Sequence, residues 1–152
     1  PRRARGSAPD QSLHEPTAFV GDTLFSAGCG RLFDGTAKQL ATSLQRLSAL
    51  PASTRVCCTH EYTLSNLRFA QAVEPSNPDV AQAATACTSL RERSLPTLPS
   101  TLSRELRINP FLRGLRPEAS TELLAAARQH GAPDTNPVAV FTALRQWKNE
   151  FR

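Results

Sequence analysis

The spacing of apolar and polar positions predicts an α/β arrangement over residues 17–60. Thr17 to Phe25 is an apolar, β-prone run that a glycine and an aspartate interrupt. A glycine-rich loop follows, and leucines spaced four and three residues apart then predict a helix from Thr36 to Leu50. The apolar run from Arg55 to Cys58 predicts a second strand. The order strand, loop, helix, strand is typical of an α/β domain.

The pattern becomes helical after residue 60, and no strand is expected beyond that point. Helices are indicated by apolar residues at helical spacing, by Asn-Pro pairs that open a helix and by a glycine that ends one. They are expected before Pro75, from Asn77 to Arg93, from Pro117 to His130 and from Asn136 onwards, with an irregular segment from Pro96 to Pro110. Residues 1–16 are basic and polar and predict a tail or linker. A partial α/β domain over 17–60 would thus precede a helical domain over 61–152.

The charge pattern argues against nucleic acid and membranes as partners. The 152 residues have a net charge of +5, but most lysines and arginines are scattered among acids. Only Arg145 to Arg152 approaches a basic cluster, so a small anion is a better candidate ligand than nucleic acid. No apolar run approaches the ~18–20 residues that span a bilayer.

The four cysteines indicate a reducing environment. They form no C-x-x-C pair, and the adjacent Cys57 and Cys58 would point to opposite faces of a strand. Neither a disulfide framework nor a structural zinc site is expected, and a cytoplasmic setting fits this usage. The sequence contains no methionine and begins with Pro1, which predicts a fragment or a processed piece.

Two strand ends carry the side chains with the most chemistry available to them. Asp22 would either cap the glycine-rich loop or bind a metal, because a buried carboxylate needs a partner. His60, followed by Glu61, would be a structural histidine or a metal ligand. Both lie at the same edge of one predicted sheet, where sites gather in α/β folds. His14 and His130 stand alone in polar surroundings and are expected at the surface.

The loop from Gly28 to Arg31 and the last helix contain candidate anion-binding groups. Backbone N–H groups and Arg31 would hold a carboxylate, or the loop is only a tight turn. Cys29 lies in this loop, but no adjacent base marks it as a nucleophile. Arg145 and Lys148 lie three residues apart and share a helix face, which is either a binding face or a solvated one.

Six motifs in this order resemble one family. They are F-V-G-D-T-L-F-S-A-G-C-G-R-L-F-D-G-T, T-H-E-Y-T-L-S-N-L-R-F-A, V-E-P-S-N, P-S-T-L, N-P-F-L-R and A-L-R-Q-W-K-N-E-F. From about Phe19 to its end the chain resembles glyoxalase II, also called hydroxyacylglutathione hydrolase. The resemblance implies the C-terminal half of a metallo-β-lactamase αββα sandwich, followed by a helical glutathione-binding domain. It also implies a monomer.

The resemblance further implies hydrolysis of S-D-lactoylglutathione to D-lactate and glutathione, a step of methylglyoxal detoxification. The family uses two divalent metal ions, commonly zinc, iron or manganese, whose bridging hydroxide attacks the thioester. Asp22 matches the aspartate that bridges both metals, and His60 matches a histidine on the second metal.

The implied substrate-binding residues lie in the loop, after the second strand and in the last helix. Arg31 matches the basic residue that holds the glutathione backbone, and Phe33 stands where some members have tyrosine. Tyr62 matches a tyrosine that contacts glutathione. Arg145 and Lys148 match the basic pair that binds the glycine carboxylate of glutathione.

The sequence also departs from the family pattern. The family motif His-x-His-x-Asp-His is absent, five of its seven metal-ligand positions are missing, and Asp34 stands where glutamate is usual. Since two isolated ligands rarely hold a dinuclear site, we expect the chain to be inactive alone and unstable over its first 60 residues. The alternative is a non-catalytic binder of glutathione conjugates, or a split-gene partner of a separate N-terminal half.

Overall fold

The computed structural model describes residues 15–152. The expected tail over residues 1–16 lies mostly outside these residues, as does His14. Where the description begins, the Pro16 carbonyl accepts the N–H of Arg55 at 2.7 Å. The bonding of the first sheet therefore reaches back to Pro16.

Five short strands form two small sheets within the described residues. The strands are β1 (Thr17–Gly21), β2 (Leu24–Phe25), β3 (Gly28–Cys29), β4 (Arg55–Cys58) and β5 (Ser100–Thr101). The order of the larger sheet is β1-β4-β5, with β1 parallel and β5 antiparallel to β4. β2 and β3 form an antiparallel ribbon. The structure confirms the α/β class and the strand predicted from Arg55 to Cys58. The run predicted from Thr17 to Phe25 is instead divided between β1 and β2, which lie in different sheets, because the chain turns at Gly21 with a φ of 52°. β3 lies in the segment that was expected to be a loop.

Seven helices make up most of the remainder of the described chain. They are α1 (Ala37–Ser48), α2 (Thr63–Val73), α3 (Pro78–Glu92), α4 (Leu102–Ile108), α5 (Pro110–Gly114), α6 (Thr121–Gln129) and α7 (Pro137–Glu150). A capping box between Thr36 and Gln39 opens α1. α3, α5 and α7 each begin at a proline that follows an asparagine N-cap.

The expectation of an irregular segment from Pro96 to Pro110, with no strand after residue 60, is wrong. Ser100 and Thr101 pair with β4, and Thr101 then caps α4 by accepting the Arg104 N–H. The nearby prolines obscured this short strand–helix unit. The helix predicted from Pro117 also begins later, because Ser120 is its N-cap.

One cluster of buried side chains unites the sheet with the helices. Val20 of β1 and Val56 of β4 belong to the same core as Phe111 of α5 and Phe141 of α7. Burial of this apolar surface supplies the main driving force for folding. The region before residue 60 therefore packs on the helices through a shared core.

The turn between β2 and β3 is held by a buried carboxylate from α4. Glu105 is fully buried, and its oxygens accept the Ser26 hydroxyl at 2.8 Å and the Ala27 N–H at 2.8 Å. The Ser100 hydroxyl donates at 2.6 Å and Asn109 Nδ2 at 3.1 Å. Ala27 has a φ of 56°, a left-handed conformation that L residues rarely adopt. Four donors thus compensate the buried charge and fix a strained turn.

We predict that Glu105→Gln lowers the free energy of unfolding by about 1–3 kcal/mol, because it weakens charge-assisted bonds and points an amide donor at other donors. Urea unfolding followed by circular dichroism measures this change. Glu92→Gln, at an exposed residue near the end of α3, is the control and should stay within about 0.5 kcal/mol of the parent. Equal stability of the two variants would contradict the prediction.

Candidate functional site

Parallel pairing of β1 and β4 brings Asp22 and His60 together. Gly21 pairs with Cys58, so the residues that follow each strand emerge at the same edge. His60 Nε2 lies 3.4 Å from Asp22 Oδ1. The Thr59 hydroxyl hydrogen-bonds the same carboxylate oxygen and also donates to the Gly21 carbonyl at 3.2 Å. Their positions at two strand ends predicted this proximity.

Two aromatic side chains pack beside His60. The rings of His60 and Tyr62 stack with centroids 4.8 Å apart, and Phe25 meets Tyr62 edge-on at 5.1 Å. These contacts hold the imidazole plane beside Asp22 while about half of the Tyr62 surface remains exposed. Glu61 does not join the site, because its carboxylate accepts the Thr97 N–H at 3.1 Å.

Asp22 and His60 are possible ligands of a metal ion. Carboxylate and imidazole are the right donor types for a divalent ion. Within residues 15–152, however, no group of three or more His, Cys, Asp or Glu side chains could hold a metal ion. Asp22 and His60 therefore provide two donors and do not by themselves make up a dinuclear centre.

A cavity of about 730 Å³ opens beside this pair. It gathers side chains from the strand ends, the β3–α1 loop, α2 and α7. All seven sequence-predicted site residues line it: Asp22, Arg31, Phe33, His60, Tyr62, Arg145 and Lys148. Asp22 and Lys148, which lie 126 residues apart in sequence, thus share one concave surface.

Arg145 is buried, and Nη1 of its guanidinium group holds the chain around β3. Nη1 donates to the Cys29 carbonyl at 2.9 Å and to the Gly30 carbonyl at 3.4 Å, while Nη2 donates to Asn149 Oδ1 at 3.0 Å. Its Nε–H is buried with no partner. The alternative of a fully solvated helix face is therefore wrong for Arg145, although its place in the cavity was predicted.

Lys148 adds a second type of cation to the cavity, and nearby positive charges disfavour its protonated form. Partial burial and then the positive charges of Arg145, Arg31 and Arg68 lower the pKa of Lys148 below its ordinary 10.5. Its Nζ also lies 5.8 Å from the centre of the Phe69 ring. A bound anion would relieve the repulsion between these cations, so the cavity favours anionic ligands.

Cys29 lines the cavity as a neutral thiol. Burial raises its pKa to about 11, against the opposing effect of Arg145. Since the thiolate is the nucleophilic form, this group is inert at neutral pH. The structure thus gives no support to Cys29 as a nucleophile.

Gly30 allows two backbone segments to approach closely, and Gly28 leaves room for the side chain of Asn66. A Cβ on Gly30 would lie 2.1 Å from the Asp22 carbonyl oxygen, and one on Gly28 would lie 2.4 Å from Asn66 Nδ2. The Gly30 N–H donates to the Thr23 carbonyl at 3.1 Å, so this amide is not available to an anion. The loop therefore contributes the Arg31 side chain rather than the Gly30 N–H.

Ser65 and Asn66 also line the cavity and were not among the candidate residues of the sequence, whereas Asp34 was noted there only as standing where glutamate is usual. Ser65 follows Tyr62 by three residues on α2, which is the spacing of neighbours on one helix face and was a usable signal. Asn66 is buried and donates to the Ser26 carbonyl at 3.1 Å. No local pattern marked Asn66, because its partner lies 40 residues away.

Comparison with known proteins gives one consistent result. The family model described as hydroxyacylglutathione hydrolase C-terminus matches residues 61–151. Proteins named hydroxyacylglutathione hydrolase share 51% identity over 137 residues in Cupriavidus metallidurans and 54% over 136 residues in Pseudomonas paraeruginosa. These alignments cover 90% of this chain but 50% and 52% of the relatives. The chain thus spans about half the length of the curated relatives it matches.

We predict that Arg68→Gln raises the pKa of Lys148 toward 10.5, because it removes one of the charges that oppose protonation. Titration of the lysine Cε signals by NMR measures the shift, and Lys38, the other lysine, is an internal reference. Arg128→Gln removes a charge from the exposed side of α6 and should leave Lys148 unchanged. An equal response to both substitutions would refute the assignment.

Proposed function

The chain belongs to the hydroxyacylglutathione hydrolase family, and we propose that it supplies the glutathione-binding part of an enzyme that hydrolyses S-D-lactoylglutathione to D-lactate and glutathione. The main observation behind this proposal is that one cavity is lined both by the Asp22–His60 pair and by three cationic side chains. A glutathione thioester has the matching chemistry, with an acyl group at one end and carboxylates at the other. The reaction would serve methylglyoxal detoxification.

The cations bind and orient the tripeptide in this proposal. Glutathione has two carboxylates, and Arg31, Arg145 and Lys148 present positive charge to the cavity. The side chain of Arg145 lines the cavity, so its positive charge attracts a carboxylate that binds there. Tyr62 and Phe33 add exposed aromatic surface against which the peptide packs. Such fixed orientation places the thioester toward the strand ends.

The acyl end of the substrate would lie beside Asp22 and His60. Divalent ions such as zinc, iron or manganese, when bound, lower the pKa of a coordinated water and polarise a carbonyl. Asp22 and His60 would donate two ligands to such ions, and a dinuclear centre needs further donors from outside residues 15–152. We also propose that the chain contributes the C-terminal half of a metallo-β-lactamase αββα sandwich.

The cellular setting follows from the cysteines. All four are free thiols in the structure, which fits a reducing compartment, and we place the protein in the cytoplasm. Within the described part of the chain, none of the helices has the length and apolar character needed to cross a membrane.

A second candidate is a glutathione-conjugate binder without catalysis. The observation that favours it is that residues 15–152 bring together no group of three or more side chains that could hold a metal ion, and only Asp22 and His60 meet at the strand ends. Both candidates use the same cavity and differ in turnover, so one set of measurements separates them.

We predict that the chain binds glutathione and that Lys148→Ala weakens binding about tenfold, or about 1.4 kcal/mol, because a charge-assisted contact is lost. NMR titration of the purified chain with glutathione measures both affinities. Lys38→Ala, which removes an exposed lysine of α1, should bind like the parent.

The same samples are then assayed for hydrolysis of S-D-lactoylglutathione with added zinc or manganese. We expect no turnover, because two donors do not complete the centre. Failure of the parent to bind glutathione, or equal binding by Lys148→Ala, would remove the proposed site. Turnover by the chain alone would exclude the non-catalytic candidate and show that further groups complete the centre.

A further inference from the structure

The acidic side chains of the cavity have different surroundings. Asp22 contacts His60 and Thr59. Asp34 also lines the cavity, but its carboxylate has no hydrogen bond and no ion pair among the described residues. It lies three residues from Arg31, yet their charged groups are not within ion-pair distance. An exposed carboxylate thus faces a cavity that otherwise favours anions.

The backbone around Asp34 is fixed although the side chain is exposed. Gly35 follows with a φ of 79°, which turns the chain into α1. One residue later, the Thr36 N–H donates to Gln39 Oε1 at 2.8 Å in the capping box. The carboxylate is therefore presented at the cavity rim from a defined turn.

An unpaired aromatic ring accompanies this carboxylate. Phe33 is 84% exposed, lines the same cavity and forms no aromatic pair within residues 15–152. Its ring is therefore accessible to a ligand that enters the cavity. A carboxylate beside an aromatic face is a combination that attracts ammonium groups, through charge and through the ring quadrupole.

We propose that Asp34, with Phe33 beside it, forms an ammonium subsite that recognises the free α-amino group of the γ-glutamyl residue of the substrate. Identification of the substrate as a glutathione thioester rests on the proposed function. Glutathione at neutral pH carries two carboxylates and one ammonium. The cationic side chains serve the carboxylates, and Asp34 serves the ammonium. The subsite makes the cavity selective for zwitterionic peptides over ligands that carry only negative charge.

Asp34 has a competing structural role that the test must separate. It lies two residues before the N-cap of α1, a helix with no acidic residue in its first turn. A negative charge there would stabilise the helix by interaction with its dipole. If Asp34 had only this role, replacing it would change the stability of the protein and would not change which ligand it prefers.

The test compares glutathione with N-acetylglutathione, which keeps both carboxylates and the thiol but has no ammonium. NMR titration of the intact chain measures both affinities. We expect the parent to bind glutathione about two- to fivefold more tightly than the acetylated ligand, in line with an exposed ion pair. Asp34→Asn should bind both ligands alike, with its affinity for N-acetylglutathione no lower than that of the parent.

Two further variants sharpen the comparison. Phe33→Leu keeps the charge and removes the ring, so it should reduce the preference for glutathione without abolishing it. Glu92→Gln makes the same change of charge on α3, away from the cavity, and should keep the full preference of the parent. Thermal unfolding of each variant reports separately on any change at α1.

Other results would contradict the proposal, and they distinguish failure of the ammonium subsite from failure of the proposed function. If the parent binds both ligands equally, or if Asp34→Asn keeps the preference, the ammonium subsite is wrong while the glutathione site stands. A change in the stability of Asp34→Asn with the preference intact assigns the residue to the helix terminus alone. If the parent binds neither ligand, the proposed function fails for this chain, and the subsite fails with it.

Discussion

The buried carboxylate of Glu105 is the constraint on which the rest of the structure depends. It is fully buried and forms no ion pair with any of residues 15–152, so its charge is tolerable only because four donors surround it. Two of those donors belong to the turn at Ser26 and Ala27, which connects β2 to β3. The helical part of the chain therefore holds this turn by a polar contact as well as by apolar packing.

The site inherits its geometry from that turn. Asp22 precedes it and Arg31 follows it, and the close passage of Gly30 past the Asp22 carbonyl fixes the path between them. Asn109 Nδ2 donates to the Phe25 and Gly28 carbonyls at 3.2 and 2.9 Å, while Arg145 holds the Cys29 carbonyl. Side chains of α4, α5's N-cap and α7 thus support a loop that lies more than seventy residues earlier. Residues 61–151, which the family model matches, therefore help to fix the conformation of the loop that precedes them.

Local signals predicted some of this and could not predict the rest. The leucine spacing of α1 and the Asn-Pro starts of α3 and α7 are encoded within a few residues, and the structure confirms the helices that they predict. Asp22 and His60 were found because parallel strand ends share an edge. Glu105 gave no signal, because its partners at Ser26 and Ala27 lie far away in sequence and its burial depends on the assembled core. The burial of Arg145 escaped detection for the same reason, since residue spacing shows which face it shares and not what covers that face.

Hydrogen exchange of the Ala27 amide tests most directly whether Glu105 holds the turn. Ala27 is fully buried, and the carboxylate of Glu105 accepts its N–H. The account predicts that this amide exchanges as slowly as that of Phe141 in the core of α7, and that Glu105→Ala speeds its exchange at least about tenfold relative to Phe141. Rapid exchange of Ala27 in the parent, or an unchanged ratio to Phe141 in the variant, would contradict the account.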